Sequence, residues 1–154
     1  MSIAAQQWLK EVLELAGFAV GVEHQSIDGQ QWLMIDSHAL TPGQVTTLLG
    51  TDGAALDALQ YLANAAFAQE SQPAIVIELD GYRQKRSAEL KIIADRAAEQ
   101  VRSTGTPYEM PPLSAAVRRE LHSFFEAAGD YSDLTTTSRG LDADRRLVVE
   151  LKSP

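Results

Sequence analysis

Two side chains with complementary chemistry stand four residues apart in the run Val117-Arg118-Arg119-Glu120-Leu121-His122. On a helix that spacing puts Arg118 and His122 about one turn apart on nearly the same face, just outside the apolar stripe. A guanidinium takes a phosphate through two parallel hydrogen bonds, and an imidazole donates a hydrogen bond or stacks on a base. Arg119 beside them, and Arg145-Arg146 later in the chain, add phosphate-binding charge if the fold brings them to the same surface.

A second stretch suits an anion by different means. Gly50-Thr51-Asp52-Gly53 separates an apolar run ending at Leu49 from a helical set, Leu56, Leu59, Leu62, Ala63, Ala66 and Phe67. Glycine at both ends of the turn permits φ > 0 and leaves no Cβ to hold a partner away, and the free N–H groups of the following helix favour negative charge. Asp52 opposes this, since a carboxylate repels a phosphate. A local use for Asp52 is to cap the helix, taken to start at Gly53.

Asp36-Ser37-His38 has the letters of a nucleophile system, but adjacent residues at a strand end point in different directions, and a polar strand exit is the reading. With only His24, His38 and His122, no cysteine and no metal-ligand spacing, neither an enzyme, a metal nor a cofactor is expected.

The elements that must position these residues follow from periodicity. Ile3, Trp8, Leu9, Val12, Leu13 and Leu15 predict a first helix stopped by Gly17. Ala19–Val22 and Trp32–Asp36 read as strands with Asp28-Gly29 as their turn, and Thr41-Pro42-Gly43 breaks the chain before the helix–turn–helix around Gly50. After Gln72-Pro73, Ala74–Leu79 is a third strand ended by Asp80-Gly81. Tyr82–Thr104 is the longest helical pattern, with Arg86, Leu90, Ile93, Ala94, Ala97 and Val101 on one stripe. Its bases Lys85, Lys91, Arg96 and Arg102 are mixed with Glu89, Asp95 and Glu99, the pattern of a solvated helix rather than a basic face. Tyr108-Glu109-Met110 is extended, a helix runs from Pro112 through Ala128 on Leu113, Val117, Leu121, Phe124 and Ala128, and Leu134–Thr137 with Arg145–Leu151 form a terminal hairpin around Ser138-Arg139-Gly140.

At 154 residues the chain suits one domain or two small ones, and the absence of cysteine excludes disulfides and thiol catalysis. The N-terminus lacks a basic-then-apolar leader and no run reaches the length of a membrane span, so a soluble, cytoplasmic protein is expected. Net charge is −8, unevenly spread: residues 1–81 hold one base, Lys10, against ten acids, whereas residues 82–154 hold twelve bases against eleven.

Leu48-Leu49-Gly50-x-x-Gly53 followed by Leu56-Asp57-Ala58-Leu59-Gln60-Tyr61-Leu62-Ala63-Asn64 resembles the Gly-x-x-Gly segment of a KH domain, in the version carried by bacterial Jag (KhpB-like) proteins. Met110-Pro111-Pro112 leading into Arg118-x-x-x-His122 resembles the Arg-x-x-x-His (R-x3-H) domain of that family. Asp80-Gly81-Tyr82-Arg83 upstream and Thr136-x-Ser138-x-Gly140 with Arg145-Arg146 downstream extend the match. The resemblance implies an α+β chain of two small α/β-sandwich domains. A type II KH unit (α-β-β-α-α-β) would occupy residues 1–80 and an R-x3-H domain (α-β-α-β-β) residues 81–154. Residues 1–31 are then the opening of the KH unit rather than the extra N-terminal domain and linker of many family members.

It also implies single-stranded RNA (or ssDNA) binding, mainly through the R-x3-H domain at Arg118, Arg119, His122, Arg145 and Arg146. An RNA-chaperone role and a small KH-domain partner or homodimer come with it, and no membrane. The KH loop of the family clamps about four nucleotides. Its pair between the glycines is commonly basic or neutral, often Lys-Arg; here it is Thr51-Asp52, in the acidic half. A reading from another class follows: an adaptor whose acidic KH half binds protein and binds little RNA.

Overall fold

Ala5, Leu9 and Leu13 recur every four residues and are all buried, which makes the first helix, α1 (Ser2–Leu15), one wall of a core. This computed structural model describes residues 2–67, 74–127, 129–141 and 144–153; the expected break at Gln72-Pro73 and helical Ala128 lie outside them. The chain divides into two units, Met1–Arg83 and Gln84–Pro154.

In unit 1, α1 is followed by β1 (Val22–Ile27), β2 (Gln30–Ile35), α2 (Pro42–Leu49), α3 (Ala54–Phe67) and β3 (Ile75–Leu79). The sheet order is β1-β2-β3, antiparallel between β1 and β2 and parallel between β2 and β3. The first strand begins at Val22, where the expected one ended. Asp28 and Gly29 both take positive φ, 51° and 80°, and the pairing of Ile27 with Gln30 makes them a two-residue turn, so β1 must run up to Ile27. Its sequence, Val-Glu-His-Gln-Ser-Ile, hides that because an edge strand facing water carries little apolar signal. Thr41 and Gln44 form a capping box with Pro42 in the first turn of α2.

The polar side of α3 faces inward. Asn64 Oδ1 accepts from the Ile75 N–H and its Nδ2 donates to the Ile75 carbonyl, both at 2.7 Å. Gln60 Oε1 accepts from the Ile77 N–H at 3.0 Å, and Arg83 Nε donates to the Ile77 carbonyl at 3.1 Å. Arg83 in turn reaches Asp57 at 2.7 Å and Gln60 at 3.0 Å. β3 is an edge strand, and these side chains fill the hydrogen bonds that another strand would otherwise make. Tyr61 and Leu62 are left in solvent, 72% and 50% exposed, against the expectation that Leu62 joins the core.

Unit 2 runs α4 (Tyr82–Thr104, its first two residues in unit 1), β4 (Tyr108–Glu109), α5 (Ala115–Ala127), β5 (Leu134–Arg139) and β6 (Arg146–Leu151). The sheet order is β4-β6-β5, all antiparallel. Leu90, Ala94, Ala97, Ala98 and Val101 bury one stripe of α4; Ile93 stays on its margin, 37% exposed. The site-bearing helix starts three residues later than Pro112. Ser114 takes the cap, its hydroxyl accepting from the Val117 N–H at 3.3 Å. Val117, Leu121 and Phe125 are its buried residues, with Phe124 only partly covered: the spacing of four selects Phe125, where the expected stripe held Phe124. Mixed α+β architecture with the expected element order is thus what the chain adopts.

Candidate nucleic-acid interface

α5 packs across the β5–β6 hairpin, with Leu121, Leu134, Leu147 and Val149 in one core. Tyr131, 2% exposed, wedges beside the helix with its ring 4.8 Å from that of Phe125. Its hydroxyl donates to Asp95 Oδ1 at 2.6 Å, and Asp95 also pairs with Lys91. That hydroxyl, and then the ammonium, hold the Asp95 carboxyl below the usual carboxylate range. Burial, reinforced by the same hydrogen bond, raises the phenol. Arg102 grips Asp133 at 2.6 Å and donates to the Asp130 carbonyl, lowering Asp133 in the same way. The site helix is therefore referenced to α4 through charge-assisted bonds as well as through packing.

Arg118 ties the helix to the hairpin. Its Nη1 donates to the Leu113 carbonyl before α5 and to the Arg145 carbonyl, 3.1 Å away, where the chain enters β6. Nε and Nη2 have no partner among the described residues and remain for an outside acceptor. The Arg119 and Arg145 side chains are exposed, again without a partner among the described residues. Arg118, Arg119, His122, Ser123, Ser138 and Arg145 line an open groove of about 440 Å³ whose lining contains no carboxylate.

Arg146 goes elsewhere. Alternation along β6 turns Leu147 and Val149 toward α5 and sends Arg146 to the opposite face of the sheet, level with Arg139. There its Nε lies 3.6 Å from Glu109, and Arg139 lies 3.6 Å from Glu150. Adjacency in sequence therefore separated Arg145 and Arg146 in space.

His122, on the edge of the groove, is engaged at both nitrogens: Nδ1 with the hydroxyl of buried Thr136, Nε2 with Glu126 Oε1 at 3.2 Å. Glu126 sits one turn on from His122, a spacing legible in the sequence. Thr136 comes from β5 and could be placed beside His122 only by the packing of helix on hairpin.

The glycine turn is shaped from within. Gly50 takes φ 70° and Gly53 φ 78°; a Cβ on Gly50 would stand 2.8 Å from the Ala55 nitrogen, and one on Gly53 would overlap the Tyr82 ring. Asp52 does not cap. The helix begins at Ala54, and Asp52 itself has φ 52° and ψ 29°, not the extended backbone from which a capping oxygen reaches the first turn. Thr51 and Asp52 are exposed, and the Asp52 carboxylate has no partner among the described residues. Asp36 caps the short turn after β2 and bonds His38 at 2.8 Å, while Ser37 turns to Asp80 instead.

Helix, hairpin and cationic groove define a module of the R-x3-H type, and residues 88–151 match the model of the R-x3-H domain. The chain carries that domain and is similar to proteins named RNA-binding protein KhpB. It is 33% identical over 107 residues to that of Lactiplantibacillus plantarum, covering 68% of this chain and 32% of the relative. With that of Clostridium symbiosum it shares 25% over 150 residues, covering 96% and 65%, and with that of Bacillus subtilis 25% over 115 residues, covering 73% and 55%. The chain thus spans less than two thirds of the length of each. Among the described residues, no helix is long and apolar enough to cross a membrane.

Proposed function

We infer that the protein binds single-stranded RNA through the groove of unit 2, with Arg118, Arg119 and Arg145 on the phosphates. The observation that carries this is a groove lined by three arginines and no carboxylate, in a chain of net charge −8. Local cation density at one cleft is what a polyanion reads, and it survives an unfavourable overall charge at physiological ionic strength because screening acts over about 8 Å. The match to the R-x3-H domain and the likeness to proteins named for RNA binding support it.

Unit 1 acts as a KH-like element whose Gly50–Gly53 turn contributes little affinity, since Asp52 faces solvent there. The chain then works in the cytoplasm as a Jag-type post-transcriptional regulator or RNA chaperone, with a small KH-domain protein or a second copy as partner. Arg146 contributes less than Arg145.

The test is RNA affinity against salt. For Arg119→Ala/Arg145→Ala, which disturbs no intramolecular bond of those side chains, affinity falls and the salt slope drops by about 0.7 for each phosphate no longer neutralised. An unchanged slope removes the site.

The exposed Tyr61 and Leu62 on α3 favour a second reading, the adaptor, in which unit 1 binds protein and RNA binding is weak. A stable protein partner, with no salt-dependent RNA retention, would select it.

A further inference from the structure

We propose that His122 is a stacking platform for one nucleobase, not a phosphate ligand, and that Thr136 and Glu126 are the positioning residues that hold its ring. The proposal rests on the reading of unit 2 as a single-strand RNA binder.

Both ring nitrogens are occupied, Nδ1 by the Thr136 hydroxyl and Nε2 by Glu126 at 3.2 Å. In the neutral ring these partners agree on one tautomer: Nε2–H donates to the carboxylate and Nδ1 accepts from the Thr136 O–H. Nothing in the ring plane is left for a phosphate oxygen, and the carboxylate beside Nε2 repels one. The side chain is nevertheless 46% exposed. A ring pinned at its edge and open to solvent offers its face, and imidazole faces stack on bases.

The surroundings divide accordingly. His122 borders the arginine groove on one side and, on the other, a second groove of about 490 Å³. Phe125 and Leu134 floor that groove, and Glu126, Ser132, Thr135 and Lys152 rim it with acceptors and donors of mixed charge. An apolar floor with a mixed polar rim suits the body and edge of a base, whereas a run of phosphates would meet the Glu126 carboxylate. The strand therefore straddles His122, phosphates at Arg118, Arg119 and Arg145, one base on the imidazole face.

The experiment compares a short single-stranded RNA with a strand of equal length and charge lacking bases, by fluorescence anisotropy. Wild type is expected to bind the intact strand about tenfold more tightly. His122→Ala removes that difference and leaves the abasic strand unaffected. His122→Phe, a ring without nitrogens, retains the preference; His122→Gln, hydrogen bonds without a ring, does not. Thr136→Val and Glu126→Gln redistribute the His122 tautomers seen by nitrogen NMR and reduce the preference in proportion.

Rescue by glutamine and not phenylalanine, or equal losses on both strands in His122→Ala, overturns the proposal. Should His122→Phe not fold, the wild-type ratio alone decides, and a ratio near one overturns it. Arg119→Ala/Arg145→Ala weakens both strands alike. Equal retention of both strands by wild type sinks the stacking role only, and retention of neither sinks the underlying RNA reading as well.

Discussion

A single guanidinium shows how binding and architecture share one residue. Arg118 commits Nη1 to two backbone carbonyls, so its removal loosens the joint between the α5 approach and the hairpin as well as removing a cation. Arg118→Lys is expected to lower RNA affinity about tenfold and also reduce the unfolding temperature, because an ammonium cannot reproduce the planar fork. Paired titration and melting curves check both. Around Tyr131 the prediction concerns pH. Depressed carboxylates at Asp95 and Asp133 add stability that is complete above their unfolded value, about 4, and is lost as pH falls through the folded one. The raised Tyr131 phenol adds stability below about pH 10 that is lost as pH rises through its folded value. Unit 2 should therefore be most stable between about pH 5 and 9. Denaturant unfolding across pH should show Tyr131→Phe abolishing the alkaline decline and making the acid one shallower.

Among elements, α3 is the one whose pattern misleads. Nearly all its faces are apolar, so a period of 3.6 marks a helix without choosing its inward side. The edge of β3 makes that choice: unpaired strand amides draw Gln60 and Asn64 inward and leave Tyr61 and Leu62 out. Asn64→Leu is expected to destabilise unit 1 by about 2–4 kcal/mol, since it strands both Ile75 backbone groups. Loss of hydrogen-exchange protection at Ile75 is the readout, and unaltered protection would refute the edge role. Gly53→Ala should cost at least about 2 kcal/mol, because it combines a positive φ with overlap of Tyr82. Chemical denaturation measures it, and Tyr82→Leu in the same chain should return part of the stability. For α5 the sequence was legible in kind and short in detail: Arg118 and His122 share a face as their spacing requires, while the start at Ala115 and the burial of Phe125 depended on Ser114 and Tyr131.

For the molecule as a whole, charge is the organising quantity, with residues 1–81 holding one base against ten acids and residues 82–154 near balance. Asp52→Lys replaces repulsion by attraction at the exposed turn and is expected to tighten RNA binding by up to about tenfold at low salt, fading as ionic strength rises. No gain in a salt titration would show that the turn stays clear of the phosphates. The residue order by itself determined the succession of helices and strands, the electrical difference between the halves, and the pairing of Arg118 with His122. All three are properties of near neighbours or of sums, which do not depend on how distant segments meet. Which of Arg145 and Arg146 joins the groove, that Thr136 and Glu126 occupy both nitrogens of His122, and that α3 turns its amides inward were decided only by tertiary packing. Strand pleat, the packing of helix on hairpin and the unsatisfied edge of β3 bring together residues far apart in the chain, and no local period encodes those meetings.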